Sequence, residues 1–64
     1  RAARARELHE QAAEAERRAA VLRGERDRLI RLLRTEDEKR WSYGTLARLI
    51  GCSRELIAQV ARRR

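Results

Sequence analysis

The sequence predicts an all-α protein, a long N-terminal coiled-coil helix leading into a compact C-terminal group of short helices. Three observations carry this expectation. The 64 residues contain no proline and 42% of them are charged, with Ala, Glu, Leu and Arg prominent, a mix that favours long helices. Apolar residues in the first half recur at alternating spacings of three and four, as in a coiled-coil seam. From about residue 29 the apolar sector widens, as it does where a rod enters a packed domain. The expected division is residues 1–28 for dimerisation and 29–64 for a small helical domain.

The first element runs from residue 1 to about 34, with few β-branched residues to disfavour helix. Pairs such as Glu14–Arg18 and Asp27–Arg31 are spaced to add a few tenths of a kcal/mol each. At about 1.5 Å per residue this rod spans roughly 50 Å. Its seam holds Ala5, Leu8, Ala12, Ala15, Ala19, Leu22, Leu29 and Leu33, with an interruption at Arg26. A stripe this thin has nothing of its own to bury against. A partner is implied, most simply a second copy held by Leu8, Ala12, Ala15, Ala19, Leu22 and Leu29. In a parallel pair Arg26 meets its own mate and Arg18 meets Arg23 across the flank; an antiparallel pair avoids the first clash. Gly24 falls on the outer face, where it costs about 1 kcal/mol relative to Ala. His9 is an exposed flank residue with no ligand-spaced companions.

Leu29, Ile30, Leu32 and Leu33 together serve both the seam and whatever packs beside it. The polar run Thr35–Arg40 is expected to fray the helix into a loop, and Glu36, Asp37 and Glu38 read as a solvated turn rather than a metal site. Trp41 is expected to plug the small core. Ser42 is placed to cap a second helix carrying Leu46, Ala47, Leu49 and Ile50 and ending at Gly51. Ser53 is placed to cap a third, whose apolar face is Leu56, Ile57, Val60 and Ala61.

From Tyr43 to Arg62 the pattern resembles the helix-turn-helix of bacterial DNA-binding proteins, the kind found in repressors, resolvases and promoter-reading sigma domains. Leu46, Ala47, Ile50, Gly51, Cys52, Ile57 and Val60 all agree with that motif, over about a third of the chain. Each has a physical reason. Ala47 lets the helices cross closely, and Gly51 takes the positive φ that only Gly adopts cheaply. Cys52 serves as a small hydrophobe in the turn. Leu46, Ile50, Ile57 and Val60 are expected to pack the pair against the upstream helix.

The resemblance implies that the last helix enters the major groove of DNA. Its base-reading candidates are Ser53, Arg54, Glu55, Ala58 and Gln59. Arg54 suits guanine and Gln59 suits adenine; Glu55 suits either cytosine N4 or the positive end of its own helix. Phosphate candidates are Ser42, Tyr43, Thr45, Arg48, Arg62, Arg63 and Arg64.

Charge agrees with this direction. The formal net charge is +7, and from Lys39 to Arg64 seven basic residues stand against one acid, Glu55. Such a balance suits nucleic acid or another anionic surface. A chain this short buries no ligand-enclosing core. No nucleophile–base set, phosphate loop or metal-ligand spacing appears, so no enzymatic activity, cofactor or metal is expected. The lone Cys52 cannot form an internal disulfide and fits a reducing cytosol, and no apolar run approaches membrane-spanning length. The expected location is the cytoplasm, on the nucleoid. The first residue is not Met and lies within a helical pattern, the expected mark of a fragment.

The expectation is therefore sequence-specific binding of double-stranded DNA by a homodimer, as a transcriptional regulator. Two alternatives stay open: the DNA-reading end of a larger recombinase, transposase, terminase or sigma-like protein, and a protein-docking coiled-coil module. Parallel pairing would suit half-sites about 34 Å apart. Antiparallel pairing is expected to place the heads at opposite ends of the roughly 50 Å rod.

Overall fold

The computed structural model describes residues 1–63, which form three helices: α1 (Ala2–Glu36), α2 (Tyr43–Ile50) and α3 (Arg54–Arg62). The molecule measures 55 × 19 × 16 Å, a rod with a small head at one end. No helix is long and apolar enough to cross a membrane among the described residues.

α1 continues without a break through position 28, and the head packs on it from Asp27 onward. Thr35 and Glu36 remain helical, with Thr35 Oγ1 donating to the Arg31 carbonyl at 2.9 Å. Asp37 then ends the helix in extended geometry, its amide still reaching the Leu33 carbonyl at 3.1 Å. Two of the expected helix-surface pairs differ. Glu14 pairs with Arg17, one residue earlier than Arg18, at 2.6 Å. Asp27 pairs not with Arg31 but with Arg26 at 2.9 Å, because its carboxylate is turned beneath the head.

The core is Ile30 from α1, Leu46 and Ala47 from α2, and Ile57 and Val60 from α3. Ile57 and Val60 are fully inaccessible to solvent. Leu33, Trp41, Tyr43, Cys52 and Leu56 close around them, each partly buried. Trp41 is therefore a rim residue rather than the plug: it lies in the turn after α1, and the space between helices is already filled by branched aliphatics. The Arg40 guanidinium covers its ring, 4.9 Å from the centroid. Ile50 also departs from expectation. It is 41% exposed, in the last turn of α2, while Leu46 and Ala47 are the α2 residues that are buried.

Candidate nucleic-acid interface

The head's local geometry follows from two serines and a glycine. Ser42 caps α2, its Oγ accepting from the Thr45 amide at 3.2 Å. Ser53 caps α3 in the same way, accepting from the Leu56 amide at 3.0 Å. Each cap satisfies one of the amides that a helix start leaves free. Between them Gly51 has φ +88°, the left-handed region that Gly enters without steric cost. The Gly51 and Cys52 amides both donate to the Ala47 carbonyl, at 2.9 and 3.0 Å, closing α2 and reversing the chain within three residues. Ala47 is buried where this closure meets α3.

Held this way, α3 turns Ile57 and Val60 inward and leaves Ser53, Arg54, Glu55, Gln59 and Arg62 exposed on its other side. Ala58 is only half-exposed, a short side chain between those longer ones. Arg54 reaches back over α2: its Nε would stand 3.7 Å from a β-carbon at Gly44. A guanidinium is thereby placed over the first turn of α2, whose Tyr43 and Gly44 amides precede the helix's first internal bond from Leu46 to Ser42. Neither Arg54 nor Glu55 forms an ion pair among the described residues, although Glu55 lies in the first turn of α3, where a helix favours an acid.

The expected phosphate set divides. Arg48 and Arg62 are exposed and unpaired among the described residues. Ser42 donates its hydroxyl proton to Thr45 Oγ1 at 2.9 Å, so that hydroxyl is already engaged. Tyr43 is half-buried, its ring 4.3 Å from the Arg34 guanidinium carbon. Arg63 lies 3.8 Å from the Asp27 carboxylate and so leans toward the rod as well as toward solvent. Arg64 lies outside the described residues. On the rod, Leu8, Ala12, Ala15, Leu22 and Leu29 are exposed and Ala19 is half-exposed, so the expected seam is uncovered in the single chain.

No family model, curated protein or solved structure matches this chain.

Two supporting residues escape a reading of the sequence. Arg34 donates to the Glu38 and Trp41 carbonyls at 3.2 and 3.1 Å, meets the Glu38 carboxylate at 3.3 Å and stacks on Tyr43. It fastens the α1–α2 turn and so aims the start of α2. Asp27 fastens the other side, between Arg26 on α1 and Arg63 just past α3. Only the Arg34–Glu38 spacing was visible as a helical pair; carbonyl contacts and a partner 36 residues away leave no local pattern.

Proposed function

We propose that the chain reads double-stranded DNA through α2 and α3, as a helix-turn-helix, and works as a homodimer joined along α1. The observation that carries this reading is the tight Gly51 reversal combined with an α3 outer face of exposed, unpaired Arg54, Glu55, Gln59 and Arg62. In this reading α3 enters the major groove. Arg54 makes a bidentate contact to guanine and Gln59 to adenine, each worth about 1–3 kcal/mol of discrimination. Glu55 accepts from cytosine N4 or serves its own helix, and Ser53 and Ala58 frame the contact. Arg48, Arg62 and the amides at the start of α2 hold phosphates. A transcriptional regulator acting on the nucleoid is the simplest role for such a reader.

The test is duplex binding measured against salt, with selection of preferred sites from a random pool. Affinity falls steeply as salt rises, because each neutralised phosphate releases counterions. Arg54→Ala with Gln59→Ala flattens the sequence preference while leaving much of the non-specific affinity. No binding to any duplex at low salt overturns the reading.

One observation favours a second reading, docking onto another protein. Leu49 and Ile50 lie side by side in the last turn of α2 at 67% and 41% exposure. That reading predicts loss of partner binding in Leu49→Ser with no change in duplex affinity.

A further inference from the structure

We infer that the second copy packs on α1 antiparallel, about a two-fold axis passing between Ala20 and Val21. This deepens the homodimer reading above and rests on it. The starting point is the set of large apolar residues that the single chain leaves out on α1: Leu8, Val21, Leu22, Leu29 and Leu32, 49–62% exposed. Leu8, Ala15, Leu22 and Leu29 repeat every seven residues as one row of a seam, and Ala5, Ala12, Ala19, Arg26 and Leu33 form the other. The head has taken the end of the second row: Leu33 packs on the core, and Arg26 is tied to Asp27. Arg18 and Glu25 flank the seam on one side, Glu16 and Arg23 on the other. None of these four makes an ion pair among the described residues, whereas Glu14 and Arg17 on the outer face pair with each other.

Charge and side-chain size decide the orientation. Parallel pairing sets Arg18 beside the partner's Arg23 and Arg26 against the partner's Arg26, with no opposite-charge flank pair in return. It also mixes thin layers of Ala on Ala with thick layers of Leu on Leu. Antiparallel pairing about the stated axis sets Ala19 on the partner's Leu22 and Ala12 on the partner's Leu29. Each of these layers holds at least one Leu, and Arg26 lies over the partner's Ala15 rather than over a second Arg26. Along the flanks Arg18 meets the partner's Glu25, and Glu16 meets the partner's Arg23, each twice by symmetry.

The register is equally constrained. A slip of seven residues one way puts Arg18 across the partner's Arg18 and Glu16 across the partner's Glu16. The opposite slip pairs Glu25 with the partner's Glu25 and Arg23 with the partner's Arg23. Only the stated register makes both flanks attractive.

The geometry changes what an antiparallel dimer can reach. Each head sits on α1 around residue 31, so the two stand only about 30 Å apart along the rod. Ile30, which anchors the head, shares its flank with Glu16 and Arg23, and an antiparallel pair shows that flank of both helices on the same side. Both heads therefore face one way, at close to the ~34 Å of one DNA turn. The dimer fits two half-sites on one duplex, rather than the distant sites that heads at the rod's ends imply.

Disulfide trapping of the full chain tests this. In a Cys52→Ser background, Ala12→Cys and Leu29→Cys proteins are oxidised separately and mixed, with sedimentation run in parallel. The mixed pair cross-links, and neither protein links to itself, since its two cysteines lie about 25 Å apart. Self-linkage of Ala12→Cys means a parallel dimer and overturns the inference. A dimer in sedimentation with no linkage overturns the register. A monomer overturns the homodimer reading itself. Arg18→Glu weakens the dimer about tenfold by making two like-charge pairs, and adding Glu25→Arg restores it; failure of that restoration also overturns the register.

Discussion

Asp27 and Arg34 hold the head from two sides with unlike means, and their replacement should show it. Arg34 has a mostly buried side chain and gives hydrogen bonds to two turn carbonyls as well as to a carboxylate. Arg34→Lys should therefore destabilise the head almost as much as Arg34→Ala, by about 1–3 kcal/mol in urea unfolding, because a single ammonium cannot reproduce the fork and the stacking on Tyr43. The glycines give a contrasting pair. A β-carbon at Gly24 meets nothing within 4 Å, so Gly24→Ala should stabilise the chain by about 1 kcal/mol, read as a rise in thermal midpoint. Gly51 has equally open surroundings but a φ of +88°, so Gly51→Ala should instead destabilise by about 1 kcal/mol. Gly51 was legible because its neighbours in the motif occupy fixed offsets. The roles of Asp27 and Arg34 were not, since burial and carbonyl contacts arise only once the head has folded back.

Among the elements, the boundaries of α2 and α3 were readable because each begins with a serine followed by an amphipathic run. Their caps should be measurable: Ser53→Ala removes the acceptor for the Leu56 amide and should cost about 1 kcal/mol. Which apolar residues face inward was less readable. On α2 a short helix crosses its neighbour at one point, so periodicity could not separate Leu46 from Ile50. Trp41 misled for a related reason, since size argues for burial only where the helices leave room. The core is small enough that a single truncation matters. Ile57→Ala should cost about 2–5 kcal/mol and unfold the head at ordinary temperature while α1 keeps helical signal in circular dichroism.

The whole molecule combines a head that buries its own core with a rod that leaves its apolar row bare. Helix formation in the rod should then be coupled to pairing, so the thermal midpoint should rise with protein concentration. The rod's composition made the long helix plain in the sequence. The direction in which the head projects was hidden, because it depends on the rotational setting of Ile30 relative to Leu22 and Leu29 along one unbroken helix.

That unbroken helix restricts how the chain can change its length over evolution. One residue inserted between Leu22 and Asp27 turns the head about 100° around the rod and shifts every later position off its row. Seven inserted residues bring both back almost to phase and lengthen the rod by about 10 Å. Descendants of this sequence should therefore gain or lose residues in that stretch by sevens, each step resetting how far the head stands from the start of the rod.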